Sequence, residues 1–319
     1  MYLTGERKLS WIRMIFKVRG SVLPRIWMRI VFVTLVAAVI TAFERSLHDM
    51  HISLTTTPFV LIGLPLGIFL GFRNSASYDR YWEGRRLWGS VVNTSRTVAR
   101  LVLTLIGPGP GRSVDEHEAG EQAELRRELI MLVIAYVQAL RMHLRSEKPF
   151  DELARLLPLG EVEPLRKQRN VPTALLLRAG ARVADAYRRG WVEPVHLPLF
   201  EAALATFTDC QGGCERIRST PVPFSYIVLI HRITGGYCFL LPLGLLETLH
   251  YFTPLAVLFV SYALFSLDAI GDEIEDPFGT EVNDLPLLAI SRTIEINLRQ
   301  ALGEHDLPPP IEAQDGVLL

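Results

Sequence analysis

The 319-residue chain is poor in the residues on which redox and metal chemistry depend, with three cysteines, Cys210, Cys214 and Cys238. An odd number cannot all pair with one another, and the first two stand four apart on one expected helix with no neighbouring His or Cys to complete a metal set. A packing role is the expectation for all three. Net charge is also missing: 33 basic against 34 acidic residues give a formal -1, which excludes the electropositive face of a nucleic-acid binder. No segment alternates apolar and polar residues with period two, so no sheet is expected. No HExxH, Walker loop or nucleophile elbow occurs, and the pair His48 and His51 has only Asp49 beside it, which argues against an enzyme. Nothing in the composition calls for a cofactor. The glycines of "IGPGPG" follow no strand and alternate with proline, so they are not a dinucleotide fingerprint. Finally, Arg7, Lys8, Arg13, Lys17, Arg19, Arg25 and Arg29 precede the first apolar run with no small-residue cleavage site after it, so no removable signal is expected.

What the chain has is apolar length. Uncharged runs cover residues 30–43, 51–72, 233–246 and 251–267, against about 20 residues needed to cross a bilayer. The two short runs reach that length if Arg29, or His231 and Arg232, lie at their edges, where long side chains snorkel or face a wet interior. Four spans follow, at about 26–46, 54–76, 224–247 and 250–268. The connection "ERSLHDMHISLTTT" holds one Arg and "ETLHYFTP" holds no Lys or Arg, while residues 73–220 are rich in Arg. That asymmetry puts both termini and the long middle segment in the cytoplasm of a multi-pass inner (plasma) membrane protein. Membrane lipids are therefore expected partners, and nucleic acid is not.

Beyond Phe72 the helical period continues through Tyr78, Tyr81, Trp82, Leu87, Trp88, Val91 and Val92, so one long helix should leave the membrane. The Pro/Gly/acidic stretch at 106–122 should end it in a loop. "ELRRELIMLVIAYVQALRMHL" has only about nine apolar residues between Glu128 and Gln138, too few to cross, and reads as a packed cytosolic helix. Two more helices are expected in "VPTALLLRAGARVADAYRRG" and "LPLFEAALATFTDCQGGCERIRS", each with Pro near its start. The fold class is thus an all-α membrane protein, with a cytosolic helical region over 77–223 and 269–302 and a flexible tail at 303–319 holding three consecutive prolines. Residues 1–302 are expected to form one domain.

The second apolar run carries two stripes. Gly63, Gly67 and Gly71 recur every fourth position, and Leu64, Ile68 and Phe72 repeat one residue later. Small residues let helix backbones approach closely in lipid. The large apolar residues lie roughly 100° round the helix from the glycines, so glycines facing neighbouring copies leave Leu64, Ile68 and Phe72 free to face a symmetry axis. Five helices about 10 Å apart leave a central radius of roughly 3.5 Å, and four leave about 2 Å. The wider hole admits a partly hydrated ion, and three apolar rings in it make a neck of the kind that gates by dewetting. The spacing alone is equally that of an ordinary lipid-facing or core stripe, since GxxxG is common in membrane helices.

"GFRNSASYDRYWEGRRLWGSVVN", "CERIRSTPVPFSYIVLIHR" and "DEIEDPFG" together resemble the bestrophin family of ion channels, specifically its bacterial branch, in order over about residues 10–300. The resemblance implies a homopentamer with four spans per subunit, a central pore lined by the second span, and a cytosolic helical vestibule. It implies a pore neck of three apolar residues spaced by four with Pro after the first, here Leu64, Ile68 and Phe72 with Pro65. It also implies a second, cytosolic constriction, for which Trp191 is the candidate; a buried anchor is the other role open to that residue. In animal members an acidic run after "PFG" helps bind calcium, whereas this chain has "TEVND", leaving Glu281 and Asp284 as weak ligands for an ion that takes 6–8 oxygens.

Arg73 and Asn74 follow the neck and are candidates for its inner mouth, although an Arg there also pairs with an acid or a lipid phosphate. Asp268, Asp272, Glu275 and Asp276 share a helical face and are either solvated or partners for Arg80, Arg85 and Arg86. His231 and Arg232 are expected to be held by backbone or carboxylate. The functional expectation is a homopentameric channel for monovalent ions, with cations favoured over chloride by the bacterial resemblance. The alternative is a membrane-anchored scaffold or receptor that conducts nothing.

Overall fold

The computed structural model describes residues 12, 15–43, 55–109, 113–314 and 316–318. Arg7, Lys8 and Arg13 lie outside them, as do His48, Asp49 and His51 in the connection after the first span. Among the described residues the chain is helical with no strand, and Gln314 and Val317 form a lone antiparallel bridge. It divides into two compact units. One holds residues 2–82 and 221–277, the other residues 83–220 and 278–319.

The first unit is built from α1 (Leu23–Ala42), the front of α2 (Thr57–Leu105), α8 (Phe224–Leu249) and α9 (Thr253–Glu275). Three helical stretches are long and apolar enough to cross a membrane: Leu23–Ala42, Thr57–Leu105 and Phe224–Glu275. The third is 52 residues long and is not one rod. A 3-10 turn at His250–Phe252 breaks it, and His250 takes φ 43°, a conformation that L-residues rarely adopt. Pro254 then restarts the helix in its first turn, where a missing N–H costs nothing. α8 and α9 therefore fold back on one another as an antiparallel hairpin.

α2 runs antiparallel to α8 in a register fixed by three contacts. Thr56 Oγ1 donates to the Gly244 carbonyl at 3.2 Å, Tyr237 lies against Gly63, and the Tyr226 hydroxyl donates to the Phe69 carbonyl at 3.3 Å. Gly244 is there because nothing larger fits: a Cβ on it would lie 2.1 Å from the Phe59 ring. The core joins Ile26, Ile30, Val33 and Ala37 of α1 to Phe59, Cys238, Leu241, Val257, Phe265 and Ala269. The outer faces stay apolar, with Val31, Phe32, Leu35, Val39, Leu61, Phe69, Leu255 and Phe259 exposed. A surface this apolar is suited to lipid or to further protein rather than water.

The second unit is organised around α3 (Glu116–Leu144), with α4 (Phe150–Leu156), α5 (Leu159–Leu165), α6 (Val171–Arg188), α7 (Leu197–Ser219) and α10 (Leu287–Ala301). Asp115 starts α3 by accepting from the Glu118 N–H at 2.7 Å; Glu116 and Glu118 in the first turn and Arg141 and His143 in the last complement the helix dipole. The loop expected at 106–122 therefore ends at Asp115, because an acidic, Gly-containing stretch with a good N-cap is also a sound first turn. Leu129 to Arg141 are buried on every side, so α3 is the central rod of this unit. Tyr136 packs its ring on Phe207 with centroids 4.9 Å apart and donates its hydroxyl to the Phe207 carbonyl at 2.9 Å. α6 begins where Asn170 accepts from the Thr173 N–H, and both α6 and α7 carry Pro in their first turn.

Candidate functional site

The candidate neck lies on α2, a single helix of 49 residues. Pro65 sits inside it and supplies no N–H, so the Leu61 carbonyl loses its partner one turn on. Leu64, Ile68 and Phe72 point away from the subunit and are 66%, 49% and 66% exposed. Three large apolar side chains in a row are thus left uncovered by their own chain. The residues between them, Leu66 and Leu70, are buried and pack with Ile230, so this stretch of helix is apolar on both its inward and its outward face.

The glycines do not share one environment. Gly63 lies against Tyr237 of the same subunit, whose hydroxyl would be 2.7 Å from an added Cβ, while Gly67 and Gly71 have nothing within 4 Å. Among these three glycines, the room left by the missing side chain is used within one subunit at Gly63 only, where the Tyr237 ring fills it.

Immediately after Phe72 the character reverses. The Arg73 side chain is enclosed, 0% exposed, with Nη1 donating to Asp268 Oδ1 at 2.7 Å and Nη2 on Asp272 Oδ1. The other Asp268 oxygen meets His231 Nδ1 at 2.7 Å, and His231 Nε2 lies 3.6 Å from Asp272 Oδ2. Three helices are tied at one point: α2 through Arg73, α8 through His231, α9 through Asp268 and Asp272. Arg73 was a candidate for a charge at the inner pore mouth; its guanidinium is instead turned into the subunit, because a buried Arg requires carboxylates and α9 presents two one turn apart. Asn74 packs on Gly271, whose Cβ would lie 2.5 Å from Asn74 Oδ1. Arg80 donates to the Glu275 carbonyl at 3.2 Å, and the Glu275 carboxylate accepts from the Val222 N–H at 2.9 Å. Arg232 is exposed.

His231, Asp268 and Asp272 bring their ligand-type atoms within 4.8 Å of one another. Both Asp268 oxygens are already committed to Arg73 and His231, and Asp272 also carries the guanidinium. A cation entering there would have to displace a fixed positive charge, so the group is an ion-pair network rather than a metal centre. Of the two weak calcium candidates, Asp284 is buried and its Oδ2 accepts from the Glu281 N–H at 2.7 Å, which makes it a turn cap. Arg145 hydrogen-bonds the Phe278 carbonyl at 3.1 Å in the same region and is close enough to Asp284 to feel its charge.

Trp191 is only 4% exposed; its indole N–H donates to Glu118 at 2.7 Å and Arg189 lies over its ring at 4.8 Å. Of the two roles open to it in the sequence, the structure gives it that of anchor, because a side chain enclosed by its own subunit is not available to narrow a passage. Cys210 and Cys214 are buried on α7 among Tyr136 and Phe207 and form no disulfide. Burial pushes both thiols up from their ordinary range.

The chain is similar to known proteins over most of its length. The chain is 40% identical over 310 residues to a "voltage-dependent anion channel-forming protein" of Ralstonia nicotianae, covering 97% of this chain and 98% of that one. It is 36% identical to a protein of the same description from Escherichia coli, covering 94% of each. The crystal structure of a bacterial bestrophin homolog from Klebsiella pneumoniae superposes with a TM-score of 0.81 at 35% identity, over 88% of this chain and 99% of that one. Residues 3–300 match the family described as "Bacterial/Fungal Bestrophin protein", and with an uncovered apolar stripe on a membrane-length helix and a three-helix ion-pair network behind it, the chain belongs to the bestrophin family of ion channels.

Proposed function

We propose that the chain assembles as a homopentamer in the inner (plasma) membrane, with four spans per subunit and both termini in the cytoplasm. It passes monovalent ions through a central pore whose neck is made of Leu64, Ile68 and Phe72. The observation that carries this reading is the exposure of that stripe directly before the fully enclosed Arg73. Large apolar side chains held outward by a helix anchored just below them are what a ring of neighbouring copies would complete into a dewetting constriction. The spans are α1, the front of α2, α8 and α9. Gly67 and Gly71, open in one subunit, are free for a neighbour.

Cations are the favoured cargo. Arg73 is paired with two carboxylates, Asp268 and Asp272, so it offers no free positive ring below the neck to draw anions. A second reading, anion conduction, is favoured by the description of the Ralstonia and Escherichia coli relatives as anion channel-forming. Current through the purified protein in a planar bilayer under a KCl gradient separates the two. A reversal potential near the potassium limit supports cation conduction, and one near the chloride limit supports the second reading. Silence in an assembled pentamer would leave a scaffold without conduction.

A further inference from the structure

A cleft of about 490 Å³ opens on the outer face of the first unit, lined by Arg29, Phe32, Val33, His231, Gly235, Phe239, Phe265 and Asp268. Its size is that of a small-ligand site, and its composition is sorted by height. Phe32 and Phe239 stack with ring centroids 6.4 Å apart and an interplanar angle of 13°, forming an apolar wall. Arg29 lies at one rim, exposed, and makes no ion pair or hydrogen bond among the described residues.

Position along the helices fixes the depth. Arg29 is six residues into α1 and His231 seven residues into α8, or ~9–11 Å from the ends of those helices at the ordinary rise. Trp27, two residues before Arg29, is 51% exposed on α1, and exposed Trp marks the membrane–water interface. An unpaired guanidinium just inside that level, on a span, is suited to an anion that the lipid layer itself supplies. The polar floor does not compete for that anion's place or repel it strongly, since the single carboxylate lining the cleft, Asp268, is consumed by Arg73 and His231. The uncompensated charge of the cleft is positive.

We infer that this cleft binds an anionic phospholipid, with its phosphate on Arg29 and one acyl chain passing Gly235 along Phe32 and Phe239. The inference rests on α1 and α8 spanning the bilayer as proposed above, not on ion conduction. A lipid seated there touches His231 and Asp268, which are joined to Arg73 one residue beyond the neck, so its headgroup lies within reach of the network that anchors α2.

The test is native mass spectrometry of the delipidated full-length assembly titrated with phosphatidylglycerol or phosphatidylcholine of identical acyl chains. One uncompensated guanidinium at the interface predicts retention of phosphatidylglycerol at about five-fold lower lipid concentration. Arg29→Gln removes the difference and Arg29→Lys keeps it. Gly235→Leu, which projects a side chain into open space, lowers retention of both lipids. Millimolar inorganic phosphate displaces neither. Equal retention of the two lipids by the unsubstituted protein, a preference that survives Arg29→Gln, or displacement by inorganic phosphate would overturn the inference. If Arg29→Gln does not assemble, Gly235→Leu decides, and unchanged retention in it has the same force. Because the readout is mass, an intact preference in an assembly that passes no current would sink the channel reading alone.

Discussion

Arg73 and Asp268 stand 195 positions apart and meet at 2.7 Å with side chains no more than 2% exposed. Arg73 follows directly on the last residue of the candidate neck, and Asp268 belongs to the helix that also packs on α1. Removing a charge pair from water costs several kcal/mol per ion. The pair persists because the guanidinium spans two carboxylates and His231 takes the remaining Asp268 oxygen. The arrangement fixes both the axial position and the rotation of α2 just below Phe72, and so the direction in which Leu64, Ile68 and Phe72 point.

Arg73→Gln leaves Asp268 buried without its counter-charge and should cost roughly 3–5 kcal/mol. The unfolding temperature of the detergent-solubilised protein should fall sharply, and Arg73→Lys should recover only part of the loss because an ammonium cannot hold both carboxylates in a fork. An unchanged melting profile in Arg73→Gln would mean that the network does not anchor α2.

Ile68→Ala removes the middle ring of the proposed neck. Single-channel conductance in planar bilayers should rise while reversal potential stays the same, since an apolar ring carries no charge preference. Currents identical to those of the unsubstituted protein would remove this residue from the pore.

The glycines separate contacts within a subunit from contacts between subunits. Gly244→Ala places a methyl group 2.1 Å from the Phe59 ring and should cost about 1–3 kcal/mol of overpacking, relieved when Phe59→Leu is combined with it. Gly67→Leu meets open space in its own subunit. It should leave the subunit folded while reducing the yield of assembled oligomer in size-exclusion chromatography. A Gly67→Leu protein that assembles normally would put that glycine on lipid rather than on a neighbour.

Several of these features were legible in the sequence, for physical reasons that also explain what was not. The starts of α6 and α7 follow from Pro in the first turn, a local signal, while the Asn170 cap of α6 emerged only in the structure. The start of α3 was missed because Asp, Glu and Gly serve a loop and a capped first turn equally well. Arg73, His231, Asp268 and Asp272 each stood out as charges beside or within apolar runs. No local pattern joined them, because their partners sit on helices far apart in the chain. The break at His250 was visible only as a polar residue between two apolar runs. Gly63 and Gly67 look identical in sequence, and only the placement of Tyr237 distinguishes them.

Burial raises the thiols of Cys210 and Cys214, with neighbouring acidic and thiol groups adding to the effect at Cys214. A raised value means less thiolate at any given pH, so alkylation by iodoacetamide at pH 8 should be far slower than for an exposed cysteine. Mass analysis should find both unmodified in the folded protein and both modified after denaturation. Rapid labelling of either in the folded state would contradict their packing among Tyr136 and Phe207.

Trp191 offers the cleanest separation of an anchor from a constriction. Its indole N–H reaches Glu118 in the first turn of α3, its backbone carbonyl accepts from the Gly107 N–H at 2.8 Å, and its own N–H donates to the Ala186 carbonyl at 2.9 Å. The residue thus holds together the end of α2, the start of α3 and the end of α6. Trp191→Phe keeps an aromatic ring but removes the hydrogen bond to Glu118, and should cost about 1–3 kcal/mol; Trp191→Ala also empties a large buried volume and should cost more, about 3–5 kcal/mol. Neither removes a side chain from an open passage, so ion selectivity in the variants that still assemble should match the unsubstituted protein. Altered selectivity in Trp191→Phe at unchanged thermal stability would reverse the assignment, placing this side chain on the permeation path.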